Sequence, residues 1–396
     1  MQKRIYLLNA LFLFPMWISK TLQPLFWAGE GKLNLFSLSY VAMAVAGSLS
    51  IFYSSLLAKT GIRCALLIGY ALYGAGLVMR AYPQNALLAI LTGLTAGIGA
   101  SVTGITLRAL ILETDEVNRK KAVLHTDNIS TLSQSFGAML SGLLVSFVSL
   151  YFHNGYQISL WITGLLAMSG MLFVPKTGYK DDFSTHKKDR ASLSLMKKPD
   201  TITTFIFMAC FAQGLCWAIF IPLVPIYLKD IGYSINSIGV ILSSGVALGF
   251  VLKNIYVSLT KKYEINNSLM LFTLLSSASV FLSACFLSEK IKLYFALTII
   301  AFYTFKATMS LILNFIEMNI AEKGRAHAVF GIRQTAFLTG DIAGGILMPI
   351  VYHHNILTRY SIILPVLLLI ASALIEKCDQ LASRDGNPPI FNGGDK

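Results

Sequence analysis

Twelve stretches of this chain are apolar and close to the length a helix needs to cross a bilayer, and no other feature restricts its fold as tightly. Hydrocarbon offers no partner to a backbone N–H or C=O, so each stretch has to be a helix whose hydrogen bonds close internally. The expected spans are 5–27, 36–58, 64–82, 86–112, 121–151 and 156–174, then 201–228, 237–259, 267–288, 292–316, 326–352 and 356–376. With 55% hydrophobic and 13% charged residues among 396, the chain has too much apolar surface for one soluble core. The expectation is an all-α polytopic membrane protein: twelve transmembrane helices in two pseudo-symmetric six-helix bundles, 1–174 and 201–376. Residues 175–200 read as a basic cytoplasmic linker and 377–396 as a disordered tail. Lys3 and Arg4 precede an apolar run with no A-x-A-like site, so that run is expected to be the first span and not a cleaved signal.

The net charge of +13 is carried mainly by short loops between apolar segments. A basic stripe with interleaved aromatics is lacking, so no nucleic-acid partner is expected. With both termini in the cytoplasm, the inner loops hold Lys59, Arg63, Arg119, Lys120, Lys121, the basic linker, Lys261, Lys262, Lys323 and Arg325. The outer loops then hold Lys32, Arg80, Lys229, Lys290, Lys292 and Arg359, the asymmetry of the positive-inside rule. The location expected is the cytoplasmic (inner) membrane, with the lipid bilayer and a small-molecule substrate as partners and a monomeric state. Cys64, Cys210, Cys216 and Cys285 lie in apolar runs and Cys378 in the tail, without CxxC spacing, so neither a disulfide frame nor a metal site is expected.

The halves echo each other weakly. Arg119, Ala122, Val123 and Leu132 return 206 positions later as Arg325, Ala328, Val329 and Leu338. Six plus six helices, a long basic linker and this repeat resemble the major facilitator superfamily over nearly the whole chain. Its loop between helices two and three usually reads G-x-x-x-D-R-x-G-R-R. Here SSLLAKTGIR keeps Gly61 and Arg63 but has Ser54 for the first Gly and Ala58 for the Asp. Arg63 is left to pair with Glu113, and Glu113 with Arg119 resembles the family's acid-then-Arg pattern at the end of helix four. The helix-four Arg of proton-coupled exporters would fall near Gly93 and is missing; the Gly-rich exporter motif of helix five is reduced to Gly137 and Gly142.

Charges inside apolar spans are functional candidates by default, because lipid does not tolerate them unpaired. Counted at 1.5 Å per residue from flanking cations, Asp127 lies roughly 9 Å deep, Lys253 and Arg333 roughly 12 Å, and Lys20 and Asp341 roughly 24 Å. Asp127, Ser130, Thr131, Gln134, Ala138 and Ser141 share one face of helix five. The resemblance sets helices five and eight against each other, so Asp127 and Lys253 are expected to pair as a gate when the cytoplasmic side is shut. The alternative keeps Asp127 on Arg108 and lets Lys253 snorkel. Arg63, Glu113 and Arg119 are the further gating candidates.

Asp341 is the candidate proton site, with Asp127 second, since burial and a neighbouring cation act in opposite senses on a carboxyl's proton. A permanent ion pair with Lys20 is the other reading. Helix ten lines the central cavity in the family, which makes Lys306 a substrate contact or, alternatively, a partner of Glu317 through water. Lys20, Gln23, Gln134, Trp217, Tyr303, Lys306 and Arg333 form the expected substrate-binding set, with Trp17 and Phe220 as apolar walls. No catalytic motif of the H-E-x-x-H, G-x-S-x-G or phosphate-loop kind occurs, so no enzyme activity and no cofactor are expected, the energy coming from a proton gradient. The expected function is alternating-access transport of an anionic or amphipathic solute, first as proton-coupled export (drug, antibiotic or siderophore-like metabolite), alternatively as uptake of an organic anion or sugar phosphate.

Overall fold

The structure is a computed structural model that describes residues 2–49, 61–112, 116–175, 201–263, 268–320, 326–356 and 362–384. The first half comprises α1 (Gln2–Gly29), α2 (Leu33–Ser48), α3 (Ile62–Met79), α4 (Ala86–Leu112), α5 (Glu116–Ser149) and α6 (Gly155–Ser169, extended by the 3-10 turn Gly170–Phe173). The second comprises α7 (Thr201–Phe220), α8 (Val224–Asp230), α9 (Ile235–Tyr263), α10 (Ser268–Ser288), α11 (Lys292–Ile320), α12 (Ala326–His353) and α13 (Ile363–Arg384). Among the described residues ten helical spans are long and apolar enough to cross a membrane, α7 and α8 together forming one. The shorter apolar helices Leu33–Ser48 and Ile363–Ile375 complete the twelve.

Span 201–228, read from sequence as one helix, is broken. α7 stops at Phe220, a 3-10 turn follows at Ile221–Leu223, and α8 resumes at Val224. Pro222 and Pro225 cause the break, since neither has an N–H to donate and each ring crowds the preceding turn. Pro15 and Pro24 do not divide α1. Gly61 enters α3 at φ +78°, a conformation open to a residue without Cβ, as the loop resemblance implied.

The two halves pack by one scheme. In the first, α3 lies on α4 and α6, α2 on α4, and α1 on α5 and α6. In the second, α10 lies on α11 and α13, α9 on α11, and α7 on α12 and α13. Each contact has its counterpart under exchange of halves. The seams between halves, α5 against α9 and α2 against α12, are likewise exchanged by the same operation.

Both the start of α1 and the end of α13 lie on one face, here the terminal face; the opposite one is the distal face. Near the distal face a single apolar core joins Trp27, Leu33 and Phe36 of the first half to Leu223, Tyr227, Phe295 and Met348 of the second. Towards the terminal face the described apolar residues separate into one core per half. Leu8, Ile62, Leu66 and Tyr70 belong to the first, Tyr256, Leu269, Ile312 and Ala371 to the second. Among the described residues the halves are therefore joined distally and have separate cores on the terminal side.

Lipid is as apolar as leucine, so close backbone packing has to hold such seams. Gly340 and Gly344 form a small-residue patch, and α7 fills it: a Cβ at Gly340 would stand 2.1 Å from the Phe211 carbonyl oxygen. Gly142 does the same across the α5–α9 seam, where a Cβ would meet the Ile235 carbonyl oxygen at 2.5 Å. Gly142→Leu is expected to destabilise by about 1–3 kcal/mol through overpacking, read as a lower Tm in detergent. Gly104→Ala, with open space around it, is expected to leave Tm unchanged or raised.

Candidate functional site

Polar groups hold the α5–α9 seam along its length. From the distal end inward, Ser146 Oγ donates to Asn236 Oδ1 (2.9 Å), Ser135 Oγ to the Ser243 carbonyl (3.0 Å), and Asn128 Nδ2 to Asn254 Oδ1 (3.2 Å). Beside the last pair, Lys253 Nζ donates to Asp127 Oδ2 and Thr131 Oγ1, each at 2.5 Å, and to the Asp127 carbonyl at 3.1 Å. Asn314 of α11 adds a bond to Asp127 Oδ1 at 3.4 Å. Lys253 has 0% of its side chain exposed and Asp127 17%, so the lysine does not snorkel. Three donated bonds are what a buried ammonium requires, since unpaired it would be costly in this position. Ser130, on the same face of α5, turns to α1 and accepts from Asn9 Nδ2 at 2.8 Å. The polar face read from sequence is thus divided between two neighbouring helices. Arg108 does not hold Asp127; its Nη1 lies 3.4 Å from Gln334 Oε1 across the other seam.

A second constellation lies midway between the halves. Lys20 of α1 is exposed although Ser19 and Thr21 beside it are buried, which places its ammonium in an opening between helices. It stands 5.2 Å from the Trp17 ring centroid. Asp341 of α12 is only 8% exposed, with Lys20, Lys306 and the Tyr40 hydroxyl of α2 within electrostatic reach of its carboxyl. Lys306 of α11 is ringed by aromatics, with centroids at 4.5 Å (Trp217), 5.7 Å (Tyr303) and 6.0 Å (Trp17). Ring faces attract a cation, and these come from both halves. Trp17 Nε1 and Asp341 Oδ1 are buried without a hydrogen-bond partner, one donor and one acceptor. The structure thus brings Lys20, Trp217, Tyr303, Lys306 and Asp341 together, with Trp17 near both lysines.

Other expected residues stand apart. Gln23 is buried in α1 one turn beyond Lys20, and Gln134 is half-buried on α5. Arg333 lies two turns from Asp341 along α12, facing Cys210 and Arg108, and so belongs to the terminal-side wall rather than to the lysine pair. Phe220 packs on Phe302, with centroids 5.0 Å apart. Arg63 is exposed at the start of α3. Glu113 lies outside the described residues, as do the side chains of Arg119 and Glu317, so the expected pairs Arg63–Glu113 and Lys306–Glu317 fall outside them too.

Sequence reasoning missed Tyr40 and Asn314 as neighbours of these charges, gave Arg108 the wrong partner, and misplaced Arg80. Read as an outer-loop cation, Arg80 is 4% exposed and turned back into the first half. Its place at the end of α3, just before Pro83, looked like a loop; a long side chain directed towards the helix start returns the charge to the interior. Tyr40 carried one signal, its position on a helix otherwise almost free of polar side chains longer than serine.

Removing one member of a buried ion pair strands the other, at about 3–5 kcal/mol. Asp127→Ala is therefore expected to lower Tm more than Lys253→Met, because Lys253 is the more deeply buried partner. The double variant is expected to recover part of the loss, and a thermal-unfolding double-mutant cycle measures that coupling.

Comparison with known proteins agrees with this geometry. No curated sequence resembles the chain closely enough to count as a match. Among solved structures it is similar to a D-xylose-proton symporter (TM-score 0.71, 14% identity, 98% of each chain covered). It is similar also to the nucleoside transporter NupG (TM-score 0.65, 13% identity, 98% of this chain and 100% of that one). A third is a peptide transporter, POT, in complex with alafosfalin (TM-score 0.68, 11% identity, 99% and 96%). At such identities the likeness concerns the fold alone, but the model of the Major Facilitator Superfamily matches residues 5–345. With its two exchangeable six-helix halves and a polar centre between them, the chain belongs to the Major Facilitator Superfamily.

Proposed function

We propose that this chain is a secondary active transporter that carries a small organic anion with an apolar or aromatic portion, together with a proton, by alternating access. The observation that carries the reading is the central group itself: two lysines and one carboxyl, walled by Trp17, Trp217 and Tyr303. Cations outnumber acids there, so the group complements a negative solute. The rings supply the apolar contact. In the empty site Asp341 offsets one of the two lysine charges. An anionic solute that takes the lysines leaves the carboxylate unpaired in a water-poor place, and a proton neutralises it at least cost. A site loaded with one monoanion and one proton carries the same net charge as the empty site, so both forms reorient against the same electrostatic barrier.

With the termini in the cytoplasm, as the loop charges favour, an inward proton gradient drives uptake, and the Asp127–Lys253 pair is made, as expected of the gate when the cytoplasmic side is shut. Export, the direction the exporter-like loops led one to expect, requires that solute and proton exclude each other at the site. The shared position of Lys20, Lys306 and Asp341 favours co-binding instead. Asp127 and Lys253 act as the latch of the α5–α9 seam. With Asn128 and Asn254 they make the described cross-seam hydrogen bonds nearest the terminal face.

The test is transport in proteoliposomes with an imposed pH gradient, across a panel of aromatic and aliphatic carboxylates, phosphates and amines, with an internal pH dye. Co-directional movement of a carboxylate or phosphate and protons is expected; counter-directional movement, or transport of amines only, overturns the reading. Lys306→Met is expected to raise the half-saturation concentration by roughly 10- to 100-fold, the loss of one charge-assisted bond of about 1.5–3 kcal/mol. Asp341→Asn is expected to abolish pH-driven accumulation while solute exchange between equal pools persists. A variant that still concentrates solute under a pH gradient removes Asp341 from coupling.

A further inference from the structure

The exchange of halves keeps its geometry but changes its charge at one place. Asp127, Asn128 and Arg108 return 206 positions later as Arg333, Gln334 and Asn314, so an acid in one half stands where the other has an arginine. The same register holds in space. Ser37 of α2 donates to the Gly345 carbonyl at 2.6 Å, and a Cβ on Gly239 of α9 would stand 3.2 Å from the carbonyl oxygen of Met139, the residue 206 positions before Gly345. On the α5–α9 side Asn314 Nδ2 reaches Asp127 Oδ1 at 3.4 Å, beside Lys253. On the α2–α12 side Arg108 Nη1 reaches Gln334 Oε1, also at 3.4 Å, with Arg333 within electrostatic reach. Two guanidiniums, one from each half, thus take the places that an amide and a carboxylate hold on the other side.

These groups have room beside them. Arg108 is exposed, and Arg333 and Gln334 are half-buried. Ser101 and Gly104 share the α4 face of Arg108. At Ser101 that face is shut by the other helices, since a Cβ on Gly47 of α2 would meet Ser101 Oγ at 3.4 Å and Leu338 Cδ1 of α12 at 2.9 Å. A Cβ on Gly104, one turn before Arg108, would meet nothing within 4 Å among the described residues. The packing of α2, α4 and α12 therefore opens towards the guanidiniums, between helices. No described carboxylate pairs with Arg108, and Gln334, accepting through its oxygen, keeps its amide N–H groups as donors. The lysine group lies apart: Asp341 is roughly 12 Å further along α12 than Arg333. Between them Phe337 meets Trp217, with ring centroids 5.5 Å apart.

We infer that Arg108, Arg333 and Gln334 form a second oxyanion site, which holds the carboxylate or phosphate group of the solute between the central group and the terminal face. Guanidinium forks match the paired oxygens of such groups, and two of them facing one opening attract an anion from the terminal side. Once bound, the oxyanion supplies on the α2–α12 side the negative charge that Asp127 supplies on the α5–α9 side, and so ties the halves together there as well. The identity of the occupant rests on the transport reading; the site itself does not.

The experiment uses the full-length protein in phospholipid-free detergent, with Lys306→Met to weaken the central group, and follows thermal unfolding as sulfate or inorganic phosphate replaces chloride at constant ionic strength. Both oxyanions are expected to raise Tm saturably, by on the order of a few degrees, because they bind the folded state alone. Adding Arg108→Gln or Arg333→Gln is expected to abolish the response. Arg333→Asp, which sets the acid of the exchanged half beside Arg108, is expected to unfold at a higher temperature in chloride than Arg333→Gln does. Equal Tm in the three salts overturns the inference, as does a response that survives either glutamine variant. A lower Tm for Arg333→Asp than for Arg333→Gln in chloride overturns it too, since a carboxylate of the chain then already holds Arg108. A response that requires added anionic phospholipid assigns the site to a lipid headgroup and overturns it as well. Should the variants not fold, crystals of the unaltered protein grown in selenate decide: an anomalous peak within hydrogen-bond distance of Arg108 or Arg333 supports the site, and its absence refutes it. These readouts need no transport substrate, so transport of amines only would overturn the transport reading and leave them untouched.

Discussion

An ionised side chain inside a membrane must meet an opposite charge, a set of hydrogen-bond donors or acceptors, or water, and the arrangement of this protein follows from how each charge does so. Lys253 meets the demand in full, with a carboxylate, a hydroxyl and a carbonyl around one ammonium. Lys20, Lys306 and Asp341 meet it only jointly, each leaning on the others and on aromatic rings from both halves. The satisfied set ties the α5–α9 seam. The less satisfied set occupies the middle, between the halves.

This division fits the asymmetry of packing. A single apolar core joins the halves at the distal face, while towards the terminal face each half has its own core and polar pairs, Asp127–Lys253 and Asn128–Asn254, cross between them. Close backbone approach at Gly142, Gly340 and Gly344 sets how near the helices come, a choice made by small residues because apolar side chains gain nothing by leaving lipid for one another. A central group whose members belong to both halves lies where any change in their angle alters its geometry.

Much of the architecture was legible in the chain itself. Spans showed as apolar runs because the bilayer sets their length, and the repeat of Arg119 and Ala122 as Arg325 and Ala328 foretold the exchangeable packing. The opposition of Asp127 and Lys253 came through family resemblance, not spacing, since nothing in residues 126 positions apart says that they touch. The break in the seventh span was written in Pro222 and Pro225, yet two prolines in α1 leave that helix whole, so proline alone does not decide. Arg80 was misread because loop position was taken for exposure, although a long side chain at a helix end can turn either way.

By itself, the order of residues determined that this chain must cross a membrane repeatedly as helices, in two related halves, with few charges and an excess of cations among them. Hydrophobicity and backbone hydrogen bonding are local demands, and they can be read locally. Only the tertiary structure decided which charges share a space: that Lys306 lies among three rings, that Tyr40 reaches Asp341, and that Arg80 is sealed within one half. Those juxtapositions depend on helix rotation and crossing, which contacts among distant segments set, and no single segment holds that information.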